Sequence, residues 1–355
     1  MWNLYTDLVL RALMGFPGRC LEGWERLQGA RDTATGWPAD AVMEQIKATA
    51  RSPEAWLGLE QGLEHVQSAN GVVAYRVRGN TGFSVGGLNA PVSRRRELLQ
   101  SYLDAARARG CRRMLTFPVR SDELADVAAC GMGAIHVGME AWLDLRELTF
   151  QGAPYAHVRQ MSNRAGRRGV EVSVLEDPTP QREELEQVHE RWLETRRPSW
   201  RMALLIGTPC LERPFGRRYV VATRGGRICA FLTLVPAGEG SAAIDVMCRA
   251  PDAPAGTMER LVVSTVSMLR AEGLDRLSMG PCPMAGLETL KRWSSLHVVF
   301  AVLYKTSLGN RIFGFQGLER FKDKFRPRWE PIFIAASPRV NVMTLYMGCR
   351  MWRLL

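Results

Sequence analysis

The chain has 355 residues, enough for about two domains, each with a sizeable core. An apolar share of 46% and a charged share of 23%, with Gly 33 and Pro 19, exclude disorder, collagen and coiled coil. Lys and Arg total 47 against 36 Asp and Glu, and the net charge of +11 favours polyanionic partners, either nucleic acid or an anionic membrane surface.

Residues 1–16 carry Trp2, Leu4, Tyr5, Leu8, Val9, Leu13 and Phe16 around Asp7 and Arg11. This is an apolar-rich helix that either docks on the domain after it or lies on a membrane. No stretch reaches the roughly 18 apolar residues of a bilayer span, and no secretory signal pattern is visible. The expected location is the cytoplasm, with the chain's two ends as candidates for docking on the inner face of the cell membrane. Eight scattered cysteines show no CxxC pair and no Cys/His ligand spacing, so free, mostly buried thiols are expected and no metal.

From about residue 36, strand-like and helix-like segments alternate, which sets an α/β (α+β) class. Residues 38–50 and 53–66 read as helices, Pro53 lying in the first turn of the second. Residues 72–77 and 82–88 read as strands, the latter with a glycine-rich exit. A helix over 94–109 stops at Gly110, a strand follows over 113–119, and a helix over 121–129 takes Ser121 as cap and Gly131 as stop. A long strand over 135–145 closes this half. After a basic helix near 156–168 the theme repeats. A strand over 170–175 and a helix over 183–194 precede strands at 219–223 and 228–235, joined by the hairpin signal Arg224-Gly225-Gly226-Arg227. A strand over 243–247, a helix over 257–271 stopped by Gly273, and a strand over 276–279 complete the series. Two successive mixed units of similar size suggest duplicated acyltransferase-like domains, whose strand order the pattern leaves open.

Three groups of residues are candidates for chemistry. On the helix near 156–168, Arg159, Asn163 and Arg167 share one face at i, i+4, i+8, with Arg164 and Arg168 beside it and no acid in the stretch. The ridge is either a solvated basic face or a grip on phosphates. In the run 311–328, Arg320, Lys322 and Lys324 interleave with Phe313, Phe315, Phe321 and Phe325, which are either core or a platform for nucleic-acid ends or lipid headgroups. Asp245 emerges from a strand ahead of a turn-rich loop and a helix start at Thr257, with Arg249 and Glu259 close by in sequence. Strand end plus helix start is where acyltransferase folds bind a donor; alternatively Asp245 and Asp252 cap turns and pair with arginines. The loop Arg249-Ala-Pro-Asp-Ala-Pro-Ala-Gly256 lacks a pyrophosphate-binding pattern, and its prolines remove backbone donors, so coenzyme A is not expected. With five dispersed histidines, no Gly-x-Ser-x-Gly elbow and no Walker loop, neither covalent catalysis nor nucleotide hydrolysis is expected, and no cofactor is implied.

Several stretches together resemble the C-terminal synthase domain of the bacterial aminoacyl-phosphatidylglycerol synthases, the multiple peptide resistance factor family. They are Val137-Gly-Met-Glu140-Ala-Trp-Leu-Asp144-Leu, Arg159 to Gly169, Ile244 to Glu259, Met279-Gly280-Pro281-Cys-Pro-Met-Ala-Gly286-Leu287, and the string Phe315-Gln316-Gly317-Leu…Lys322-Asp-Lys324-Phe325…Trp329-Glu330-Pro331. Coverage runs from about residue 36 to 336. The resemblance implies tandem GNAT-like acyltransferase domains with mixed central sheets, and transfer of an amino acid from aminoacyl-tRNA to a hydroxyl of an anionic phospholipid. The implied layout is an N-terminal helical arm (1–35), a first GNAT-like domain (36–155), a second one carrying the active site (156–338) and an amphipathic tail (339–355). Asp245 is expected to hold the donor's α-ammonium, and its replacement by alanine to abolish transfer with the fold intact. Arg159, Asn163, Arg164, Arg167, Lys322 and Lys324 are expected on tRNA or lipid phosphates, and Glu259 and Arg249 in the site. The family's strand motif usually reads Asp-x-Met-Arg, whereas this chain has Asp245-Val-Met-Cys248 with Arg249 displaced by one, onto the opposite face of a strand. The amino acid carried is left open, and so is the acceptor, lipid or a soluble molecule; a catalytically inactive lipid- or RNA-binding protein is the third reading.

Overall fold

The computed structural model describes residues 40–195, 209–286 and 315–341, with a few residues of the C-terminal tail. The apolar N-terminal stretch and most of the tail lie outside the described residues, as do Phe313 and the side chain of Phe315.

The first half comprises α1 (Asp40–Thr49), a 3₁₀ turn (Pro53–Leu59), β1 (Glu64–Ser68), β2 (Gly71–Arg78), β3 (Thr81–Asn89), α2 (Arg95–Ala108), β4 (Arg113–Arg120), α3 (Leu124–Ala129) and β5 (Gly133–Asp144). The second comprises α4 (Ala156–Arg167), β6 (Val170–Leu175), α5 (Arg182–Glu194), β7 (Arg218–Arg224), β8 (Arg227–Pro236), β9 (Ser241–Arg249), α6 (Thr257–Ala271), β10 (Arg276–Pro283), α7 (Phe315–Asp323) and β11 (Arg328–Ser337). Among the described elements, from β1 and from β7 onward, the two halves run through the same order of three strands, helix, strand, helix, strand. The tandem mixed α/β architecture read from the sequence is what the chain adopts.

Glycine marks the boundaries that were legible. Gly225 and Gly226 take positive φ of 59° and 78° between the paired Arg224 and Arg227, a two-residue hairpin turn. Gly110, Gly131 and Gly273 follow helices with φ between 72° and 81°. Two local expectations are corrected. Residues 53–66 are not a helix: the chain makes the short 3₁₀ turn, turns over Gly62 at φ 76°, and enters β1. Ser121 does not cap α3 with its side chain; instead the Glu123 carboxylate accepts the Arg120 backbone N–H at 2.8 Å.

All eleven strands form one sheet in the order β1-β2-β3-β4-β11-β5-β10-β9-β8-β7-β6. Within each half, only the pair flanking the crossover helix is parallel, β3 with β4 and β9 with β10. The final strands are exchanged: β11 lies between β4 and β5, and β5 lies between β11 and β10, all antiparallel. Neither half therefore completes its own sheet. Separate apolar clusters back the two halves, one around Leu98, Tyr102 and Leu103 of α2, the other around Leu261, Val262 and Val266 of α6. A third joins α1 and the 3₁₀ turn to the second half, with Ile46 and Trp56 against Val235 and Ala243.

Expressed alone, residues 1–155 or 156–355 leave strand edges at the seam unpaired. Each half is expected to aggregate, while co-expression should yield a 1:1 complex by size-exclusion chromatography with light scattering; a monodisperse, cooperatively melting half would refute the dependence.

Candidate active site

The parallel ladder of β9 and β10 ends early. Ser241, Ala242 and Ala243 pair with Arg276, Leu277 and Ser278, and beyond these the strands part. The gap opens into a cavity of about 840 Å³, within the usual range for small-molecule sites. Its walls come from β9, the loop to α6, the start of α6, β10 and α7, with Met161 of α4, Trp192 of α5 and, from the first half, Pro53, Glu54 and Leu57.

Asp245 reaches this cavity because β9 bulges there. Val246 pairs with Thr233 and Ile244 with Leu234, so Asp245 is the extra residue, and the Val246 N–H donates to Thr233 Oγ1 at 3.1 Å. The carboxylate is only 2% exposed and accepts Arg217 Nε at 2.8 Å, from a guanidinium equally buried. Arg217 in turn lies over the Trp56 ring at 5.6 Å, and Trp56 Nε1 donates to Pro236 O at 3.0 Å. Buried pairing is thus a structural feature of Asp245, so its removal is expected to cost stability as well as a site carboxylate. Arg217 had escaped the sequence reading.

Glu259, in the first turn of α6, lines the cavity at 5% exposure and accepts Lys324 Nζ at 2.8 Å. Lys324 also sits 5.4 Å over the Phe321 ring. Arg249 ends β9 exposed on the cavity rim, while Cys248 is fully buried in the cluster with Leu185, Val188 and Phe231, so the two neighbours do face opposite ways. Lys322, expected on tRNA or lipid phosphates, is a buried lysine of the cavity wall. It is 2% exposed and donates from Nζ to Gly280 O and Pro281 O, both at 2.8 Å, tying α7 to β10. Burial pulls its ammonium below the ordinary lysine value, with Cys282, Glu140 and Glu54 acting in the opposite sense. Phe325 is core, packed edge-on against Phe150 and Phe321, and Phe321 lines the cavity.

The basic ridge of α4 divides. Val158, Ser162 and Ala165 are buried, and Arg159 donates from Nη1 to Phe150 O and Gly152 O at 2.7 Å each, fixing the chain that enters the helix. Asn163, Arg164, Arg167 and Arg168 are exposed, outside the cavity lining, and the three arginines have no ion pair among the described residues. The helix start expected to receive a donor is tightly built: Gly256 takes φ 93°, where a Cβ would lie 2.0 Å from Met161 O, and Thr257 N–H donates to Pro254 O at 3.2 Å.

Two carboxylates that were not sequence candidates for the site stand at the cavity wall and behind it. Glu140 of β5 is 1% exposed; Arg120 Nη2 donates to its Oε2 and Ser278 Oγ donates to its Oε1 at 2.5 Å. Glu54, in the 3₁₀ turn, lines the cavity at 3% exposure, and neither carboxyl oxygen makes a well-formed hydrogen bond among the described residues. Burial, then the Glu140 charge, push its pKa up to about 7 against the opposing pull of Arg120. Among the described residues no three His, Cys, Asp or Glu side chains gather as metal ligands.

Asp245→Ala leaves Arg217 buried and uncompensated, so the variant should lose about 3–5 kcal/mol of stability by denaturant melt. Adding Arg217→Met should recover part of that loss; additive losses would show that the pair is not coupled.

A family profile described as "Phosphatidylglycerol lysyltransferase, C-terminal" matches residues 44–336. Over 260 residues the chain is 27% identical to the phosphatidylglycerol lysyltransferase of Bacillus subtilis (strain 168), covering 72% of this chain and 30% of that protein. It is 26% identical over 224 residues to the lysylphosphatidylglycerol biosynthesis bifunctional protein LysX of Nocardia farcinica, covering 59% and 19%. The chain therefore spans less than a third of the length of these curated relatives. Among solved structures, the C-terminal domain of a putative lysylphosphatidylglycerol synthetase from Agrobacterium fabrum superposes with a TM-score of 0.71 at 25% identity, over 89% of this chain and 97% of that one. L-PGS from Bacillus licheniformis superposes with a TM-score of 0.74 at 22% identity, over 90% and 97%. On the strength of a match across both halves and the cavity between them, the chain belongs to the family of phosphatidylglycerol lysyltransferase C-terminal domains.

Proposed function

We propose that this chain is an aminoacyltransferase that moves an amino acid from aminoacyl-tRNA to a hydroxyl of an anionic phospholipid such as phosphatidylglycerol. The observation that carries the reading is the cavity at the parting of β9 and β10, roomy enough for an aminoacyl group beside an acceptor headgroup, in a chain whose relatives are named for lysyl transfer to that lipid. The donor ester is already activated, so the site's task is to align two substrates and stabilise charge as the carbonyl is attacked. That fits a cavity with cations and carboxylates and no nucleophile-base pair. Asp245, held by Arg217, and Glu259, held by Lys324, place two fixed carboxylates where a donor's α-ammonium can be received. Arg249 on the rim and Arg164 and Arg167 on α4, with Asn163 beside them, supply the outer surface for tRNA or headgroup phosphates. Among the described residues no helix is long and apolar enough to cross a membrane, so in this reading the chain meets lipid from the surface.

The test incubates purified protein with radiolabelled aminoacyl-tRNAs and phosphatidylglycerol vesicles, with and without RNase. RNase-sensitive label in the organic phase is expected, and single charged tRNAs then identify the amino acid. Label that leaves tRNA without entering lipid would replace the lipid by a soluble acceptor or water; no loss of label would leave a binding protein. In the same assay Arg164→Ala/Arg167→Ala/Arg168→Ala should weaken apparent affinity and flatten its logarithmic salt dependence by about one unit per arginine that contacts a phosphate.

A further inference from the structure

Four of the five carboxyl and ammonium groups that line the cavity are already satisfied. Asp245 is bound by Arg217, Glu259 by Lys324, and Lys322 by two carbonyls. Glu54 is the exception: at 3% exposure neither oxygen makes a well-formed hydrogen bond among the described residues, and Ser52 and its own backbone lend the carboxylate only a lesser pull than burial and the neighbouring charges. Leaving such a group unpaired costs stability, so its retention at a cavity wall calls for a ligand or a proton. Its placement is over-determined: Trp56, two residues on, is anchored to Pro236 O and packs on the Arg217 side chain, while the Glu54 and Ala55 carbonyls press on Gly86.

We propose that Glu54 takes the proton from the acceptor hydroxyl during aminoacyl transfer, a catalytic residue lent by the first half to a cavity built mainly by the second. This rests on the transfer reading above. As the acceptor oxygen bonds to the carbonyl carbon of the aminoacyl ester, its proton passes to the Glu54 carboxylate. The tetrahedral centre then collapses, the bond from that carbon to the tRNA's terminal ribose oxygen breaks, and the same proton leaves with the ribose hydroxyl, returning Glu54 to its ionised form. A base near neutrality suits this step, because it is ionised enough to accept and basic enough to pull. The charged groups around it are Glu140 of β5, Arg120 of β4 and Lys322 of α7, with the Asp245–Arg217 and Glu259–Lys324 pairs on the same cavity.

The test uses the full chain as wild type, Glu54→Gln and Glu54→Asp. It follows label leaving aminoacyl-tRNA and label entering phosphatidylglycerol vesicles as separate readouts, from about pH 5 to about pH 9. Wild-type kcat should rise through a midpoint near pH 7; Glu54→Gln should lower kcat at least about 100-fold with KM for aminoacyl-tRNA little changed and that rise abolished, and Glu54→Asp should restore part of the rate. A carboxyl raised to about 7 on folding costs the folded state stability that grows as pH rises from the ordinary carboxyl value to about 7 and is constant above it, so Glu54→Gln should gain in melting temperature over wild type across that rise and keep the gain at alkaline pH, which also shows that it folds. Unchanged kcat, a rise in KM alone as for an ammonium-binding carboxylate, or a persisting acid limb would each overturn the assignment. Label lost from tRNA but absent from lipid would overturn only the lipid acceptor, with Glu54 still judged on the first readout; no loss from the wild type overturns both.

Discussion

The exchange of β5 and β11 at the centre of the sheet is the constraint on which the rest depends. Four strands from two halves, β4, β11, β5 and β10, are laid side by side so that each half's last strand completes the other's sheet. Backbone groups that would be open edges become buried ladders, which fixes the halves as one body. The polar side chains at this seam follow the same logic. Glu140 stands opposite Pro281 on one side and Glu330 on the other, and is held by Arg120 from one half and Ser278 from the other. A buried charge needs its partners placed to within a few tenths of an ångström, and here the partners arrive only if the exchange has formed.

The seam also explains why one half is open and the other closed. In both, a parallel strand pair parts beyond its ladder, after Val85 and Phe117 in the first half and after Ala243 and Ser278 in the second. In the first half, Gly86 and Gly87 adopt positive φ at that point, and a Cβ on Gly86 would stand 2.9 Å from Glu54 O and 3.0 Å from Ala55 O. The 3₁₀ turn therefore fills the first opening with backbone, which only glycine allows. In the second half the equivalent position is the bulge at Asp245, and its opening remains a cavity.

Much of this was legible wherever local physics decides. Strand-like apolar runs marked β2, β4, β7, β8 and β9, and Thr257–Ala271 was readable to the residue, with Gly273 as its stop. What was not legible depends on contacts between distant segments. The turn at 53–59 resembles a helix start, with Pro first and Glu next, and becomes a turn only when pressed against β3 and β9. Asp245 stood out ahead of a turn-rich loop, but it is a bulge inside β9 rather than a strand end, and its partner Arg217 comes from the turn just before β7 and carries no local signature. Lys322 looked like one cation in a basic run; its burial follows from α7 packing over β10, beyond the reach of charge counting.

The likeness of the two halves gives this arrangement its chemical logic. Each half has a splayed strand pair, but the segment that plugs the first opening also forms a wall of the second. One end of the 3₁₀ turn seals glycines of β3 while its side chains at 54 and 56 reach the neighbouring half, Trp56 covering the Arg217–Asp245 pair and Glu54 entering the cavity. Closing one site thus shapes the other. The first half reaches the cavity wall because the exchanged strands hold its turn against the parting of β9 and β10.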